Sequence, residues 1–257
     1  MKLPHQTKNF SHGLDVFRGI AAVLMVINHA GYRLLSASDI SFSVSGFAVF
    51  LGSLAPALFF FATGFGMALA NQARDHPPPV APALWKGLLL VWADQLLWWG
   101  RGVPMGLDFF SFIAIATVIV TLMLRFKKPV LLSFAIICVL VCVRYLLGPQ
   151  LNKALLPESG FLNWLIGVRG LEHVSYPLNP WLIYPLVGFI LGDFFSTKDK
   201  NSNHENTIWR ARNMFLTLAL LTAALLMFVL NRTFFRWGTV SFAFFIFSLG
   251  ALAAFGL

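Results

Sequence analysis

Residues 14–30 read LDVFRGIAAVLMVINHA, an apolar run of helical length that contains an aspartate, an arginine and a histidine. Each of these resists transfer into hydrocarbon, so together in one apolar run they ask for a reason. The rest of the chain is unambiguous: of 257 residues, 58% are hydrophobic and only 11% are charged. A soluble domain carries about a quarter charged residues. The composition therefore specifies an all-α, polytopic membrane bundle. The net charge of +9 does not point to nucleic acid, because the basic residues lie in short loops between apolar runs. Loops of that kind face the cytoplasm and its anionic leaflet.

A helical span needs roughly 20 mostly apolar residues, and by that measure the chain holds about eight. They lie near Leu14–Leu35, Phe47–Ala70, Leu84–Gly100, Leu107–Leu124, Pro129–Leu147, Trp181–Phe195, Met214–Leu230 and from Gly238 onward. Residues 1–257 are read as one membrane domain, and the apolar ending LAAFGL raises the expectation of a longer chain. No internal repeat is visible. Lys2, Lys8, Arg74, the RFKK turn of 125–128, Lys198, Lys200, Arg210 and Arg212 fall on one side. That bias predicts a cytoplasmic N-terminus, with 148–180 outside and the polar stretch 196–212 inside. DHPPPVAP (75–82) is a stiff connector that cannot continue a helix. Cys138 and Cys142 stand four apart on one helix face, as small packing residues do. The FFF of 59–61 and the WW of 98–99 read as lipid-facing or interfacial aromatics, and Gly64 and Gly66 as close-packing positions.

At about 100° per residue, the positions from Arg18 to His29 rotate by roughly 20° net, and those from Asp15 to His29 by about 40°. One stripe therefore carries all three, with Tyr32 a turn above His29. The rise from Arg18 to His29 is about 16 Å at 1.5 Å per residue. The stripe admits a plain reading, in which Asp15 neutralises Arg18 and His29 hydrogen-bonds a neighbouring helix. It also admits a functional one, because histidine is the commonest general base near neutral pH.

The same stretch, with an arginine and a histidine separated by ten residues, resembles the first helix of the transmembrane acyltransferases. That superfamily holds the acyltransferase-3 proteins and the heparan-α-glucosaminide N-acetyltransferase-like family. PALFFFATGFGMAL (56–69) resembles their second-helix motif, and YPLNPWLIYPLVGFILGDFF (176–195) resembles a segment of the bacterial heparan-acetyltransferase-like members. LDFFSFIAIATVI (107–119) is a fainter echo of their fourth helix. The resemblance implies transfer of an acetyl or short acyl group from cytoplasmic acetyl-CoA (or another acyl-CoA) to a sugar, glycan or lipid-linked sugar outside. It makes His29 the essential histidine, either as general base or as acyl carrier, and Arg18, with Asp15, the donor-side cation. Many relatives carry an arginine pair early in the third helix; this chain has Lys86 there, a candidate phosphate contact without Arg's forked geometry.

Two further clusters qualify. Asp94 and Gln95 lie well inside the third span, and an isolated carboxylate there must be paired, protonated or facing water. Asp94 is thus either a catalytic partner or a structural mate of His29 or Arg144. RGLEHVSYPLNPW (169–181) gathers Glu172, His173, Asn179 and Trp181 before the sixth span. Carboxylates and amides there could bind an acceptor's hydroxyls and Trp181 could stack on a ring; equally, the stretch is a loop entering a helix with Pro180 in its first turn. No metal-ligand spacing is present, and a bacterial inner membrane is the expected location. Two other functions fit the same residues. A proton-coupled transporter would use Asp15, Arg18, His29 and Asp94 as a relay, and a scaffold would use them only to lock helices. The sequence leaves the oligomeric state open.

Overall fold

The computed structural model describes residues 5–35, 49, 51–74, 76–100, 102, 106–147, 175–198 and 248. Among them there are helices and no strand: α1 (His5–Leu34), α2 (Ala55–Gln72), α3 (Val80–Trp99), α4 (Phe109–Met123), α5 (Pro129–Val141), the short α6 (Leu178–Trp181) and α7 (Ile183–Lys198). A π-helical turn, Cys142–Leu147, extends α5. Six of the eight expected spans fall wholly or largely on described residues, and each is helical there. The expected span at 214–230 and all of the last one but residue 248 lie outside them, as do Glu172, His173 and most of 148–180.

Local chemistry sets the boundaries. Proline occupies the first turns of α2 and α5, where its missing N–H costs nothing. Pro79 stands at the N-cap of α3, and the preceding prolines prevent an earlier start. Asp108 caps α4, its carboxylate accepting the Phe109 N–H at 2.9 Å.

Two described stretches, Gly13–Leu34 and Val80–Trp99, are long and apolar enough to cross a membrane. Their apolar side chains face outward, among them Val16, Val23 and Val26 on α1 and Trp85, Leu88 and Trp92 on α3. A water-soluble fold would not leave apolar faces of that size uncovered. The core lies between α2 and α7, where Ala57, Leu58, Phe60, Ile183, Tyr184, Leu186 and Phe189 are all but fully buried. Cys138 and Cys142, expected to pack, are exposed on α5 and its π turn.

The pairing of helices follows from which residues meet. Phe17 contacts Phe61, Arg18 lies over Gly66, and Asn28 lies against Gly52, so α1 and α2 run antiparallel. Gly87 meets Ala114 while Asp94 reaches Ser111, which makes α3 and α4 antiparallel as well. Gly64 faces Pro185, and both Gly188 and Gly192 lie against Phe65, so α2 and α7 run parallel. These directions are those of a chain that crosses in alternation, with α2 and α7 descending from the same side.

The α2–α7 contact is the most extensive in the described structure, and it depends on glycine. A Cβ at Gly64 would collide with the Pro185 carbonyl, and one at Gly188 with the carbonyl of Phe61. Both obstacles are backbone, so neither can swing aside. Gly64→Leu should therefore cost at least about 3 kcal/mol, the upper part of the overpacking range. Thermal unfolding in detergent would register this as a large fall in midpoint or as loss of monodisperse protein.

Candidate functional site

At the end of the bundle where α1 stops and α2 begins, a cavity of about 130 Å³ is lined by Met25, Asn28, His29, Tyr32, Gly52, Ser53, Ala55, Pro56 and Tyr176. The α1 residues are spaced three and four apart, so a single helix face forms one wall. The helical turn before α2 forms another, held in place by Asn28, whose side-chain amide donates to the Val49 carbonyl at 3.0 Å. The Ser53 N–H reaches the same carbonyl at 3.1 Å. The volume is close to the ~150 Å³ that encloses a benzene ring. It is smaller than the ~300–1,000 Å³ usual for a pocket that encloses a whole drug-sized ligand.

His29 makes no hydrogen bond or ion pair with any described residue, and it lines this cavity. Among the described residues, then, no neighbouring helix supplies the hydrogen bond of the plain expectation. Tyr32 lies in the same wall, half exposed.

Arg18 sits about 16 Å down the same helix and Asp15 about 21 Å, and they pair with each other, Arg18 Nη1 donating to Asp15 Oδ1 at 3.3 Å. Both are exposed, so the pair adds little stability. Arg18 is nevertheless constrained: a Cβ at Gly66 would lie 3.0 Å from its Nη2. The glycine of the second-helix motif thus makes room for the guanidinium, beyond its general role in packing. Lys86 is exposed on α3 and does not line the cavity.

Asp94 is 1% exposed, and its partners are neither His29 nor Arg144. Its Oδ2 accepts the backbone N–H of Asp108 at 2.8 Å and of Ser111 at 3.1 Å. These are the N-cap and N3 donors of α4, so Asp94 supplies from α3 what a capping box supplies within one helix. Gln95 continues the clasp by accepting the Gly106 N–H at 3.2 Å and donating to the Gly106 carbonyl. The pinned turn reaches the cavity indirectly, because the Leu107 carbonyl accepts the Ser175 N–H at 3.1 Å, next to Tyr176.

Asn179 and Trp181, expected as acceptor contacts, are buried and do not line the cavity. Trp181 is instead part of an aromatic cluster with Tyr176, Tyr184 and Phe60. Phe60 is the hub of that cluster, 4.1 Å between centroids from Phe112 and 5.3 Å from both Phe109 and Tyr176. The sequence expectation of outward-facing phenylalanines at 59–61 is corrected accordingly: Phe60 and Phe61 are core residues. Reasoning from sequence passed over Met25, Asn28, Ser53 and Tyr176 among the polar and flexible cavity residues, and Tyr176 is the one from a distant part of the chain. It opens the 176–195 motif, so its place beside the proline was a signal, but nothing in the linear order links it to His29.

No curated protein and no solved structure matches the chain. The profile of the family described as heparan-alpha-glucosaminide N-acetyltransferase, catalytic, matches residues 11–233, a stretch that takes in α1, its ion pair, the cavity and the α2–α7 core. The resemblance carried by three short motifs thus extends over most of the sequence, and the chain belongs to this membrane-embedded acetyltransferase family.

Proposed function

We propose that this protein transfers an acetyl or short acyl group from cytoplasmic acyl-CoA to a sugar, glycan or lipid-linked sugar on the far side of a bacterial inner membrane. The observation that carries the reading is His29, hydrogen-bonded to none of the described residues and lining a small cavity, on the same helix face as a cation about 16 Å away. In this reading the N-terminus is cytoplasmic. The phosphates of CoA sit near Arg18, with Asp15 tuning its position. The pantetheine arm runs along α1 and brings the thioester to the cavity. Lys86 is a secondary phosphate contact, and Tyr32 borders the acceptor. Glu172 and His173, outside the described residues, are retained as acceptor contacts; Trp181 supports the wall through Tyr176.

His29 takes the proton from the acceptor's hydroxyl or amine as the nucleophile attacks the thioester carbonyl, and returns it to the departing thiolate. A covalent acyl-histidine would divide the same transfer into two steps.

Binding tests the donor side. Purified protein in detergent should bind acetyl-CoA saturably, and Arg18→Ala should weaken that binding by about tenfold or more, as expected when a charge-assisted contact worth ~1.5–3 kcal/mol is lost. His29→Ala should bind nearly as well as wild type. Absence of binding in all three folded proteins would overturn the reading in favour of a transporter.

A further inference from the structure

The geometry points to Tyr176 as a catalytic residue of the proposed transfer: its hydroxyl donates a hydrogen bond to the acyl carbonyl oxygen as negative charge develops there. The inference rests on the acyltransferase reading above and adds a second reacting group to His29.

Three observations converge on it. Tyr176 lines the cavity that His29 lines, and it comes from a distant part of the chain. Its ring is held from several sides, edge-on to Trp181 at 5.0 Å and to Phe60 at 5.3 Å, with Phe109 at 6.1 Å and Phe112 at 6.4 Å. Its backbone is fixed as well, because the preceding Ser175 N–H is bonded to Leu107 beside the clasped start of α4. A ring packed on these sides is held in place, and a donor that needs no reorganisation is what stabilises an oxyanion best.

The electrostatics select donor over base. Burial, and secondarily the negative charge of Asp108, push the Tyr176 phenol well above its ordinary pKa. The hydroxyl therefore keeps its proton throughout the working range, and leaves proton abstraction to His29.

The step balances. The acceptor oxygen or nitrogen forms a bond to the thioester carbon as His29 takes its proton. The carbonyl π pair moves onto oxygen, where the Tyr176 O–H meets it. The tetrahedral centre then collapses, the C–S bond breaks, and the thiolate of CoA receives the proton from His29. The products are the acylated acceptor and free CoA thiol, and Tyr176 ends unchanged.

The test is Tyr176→Phe, which deletes the hydroxyl and keeps the ring in its aromatic setting. Release of free CoA thiol from acetyl-CoA is followed in detergent with D-glucosamine as the acceptor probe. The expected result is a fall in kcat of about 10²–10³, the usual effect of losing one oxyanion donor, with KM for acetyl-CoA within about twofold of wild type. A kcat within about threefold of wild type would overturn this inference while leaving the acyltransferase reading intact. A wild-type protein that releases no thiol would instead sink that reading, and this one with it. Should the phenylalanine variant fail to fold, 3-fluorotyrosine at position 176 preserves shape and strengthens the donor. A changed kcat at constant KM then supports the role, and an unchanged kcat overturns it.

Discussion

His29→Ala should reduce acetyl transfer by about 10³-fold or more, within the 10²–10⁴ range over which a positioned general base contributes. Stability should stay within ~0.5 kcal/mol of wild type, because the imidazole is exposed and makes no hydrogen bond to any described residue. That combination separates the hypotheses. A scaffold in which His29 locks helices together predicts lower stability. A proton-coupled carrier predicts lost transport with no CoA chemistry in any variant. Exogenous imidazole should recover part of the lost rate by diffusing into the space left beside Asn28 and Tyr32. Acid quench during turnover of wild type with labelled acetyl-CoA would show whether label stays on the protein, which distinguishes an acyl-histidine from direct transfer. Full thiol release by the alanine variant would end the case for His29 as base or carrier.

Much of this architecture is legible in the linear chain, and what is not has identifiable causes. Apolar runs that begin at proline fix α3 and α5 to within a few residues, since hydrophobic periodicity and helix breakers are local properties, whereas α1 starts at His5 rather than Leu14 and α2 at Ala55 rather than Phe47. The stripe from Asp15 to His29 is likewise a property of one helix, whose ion pair is present and whose histidine lines the cavity. Contacts between helices are another matter. Phe59, Phe60 and Phe61 have the same composition as a lipid-facing patch, and only the packing of α1, α4 and Tyr176 around α2 buries two of them. Tyr176 and His29 lie 147 positions apart, and no periodicity relates them. Gly66 illustrates the middle ground. A small residue in a membrane helix predicts a close approach, but not that the approaching group is the Arg18 guanidinium.

For Asp94 the expected effect falls on stability first. Asp94→Ala removes the acceptor for two backbone donors, those of Asp108 and the fully buried Ser111. Each orphaned buried N–H costs about 1–3 kcal/mol, so the variant should lose roughly 2–5 kcal/mol and unfold at a clearly lower temperature. Asp94→Asn keeps a carbonyl oxygen within reach of both donors and should recover most of that loss. A catalytic carboxylate predicts the reverse order: the amide would be inactive and stable, because an amide cannot take up a proton as a carboxylate does. Thermal midpoints and thiol-release rates measured on both variants therefore decide between the two roles. The alanine variant should also lose activity beyond what its folded fraction explains. The turn it loosens carries Leu107, whose carbonyl anchors Ser175 and so the backbone of Tyr176. In Tyr176→Phe, where that phenol no longer contributes, the excess activity loss caused by Asp94→Ala should disappear. If it persisted undiminished, Asp94 would act on the reaction by a route that does not pass through Tyr176.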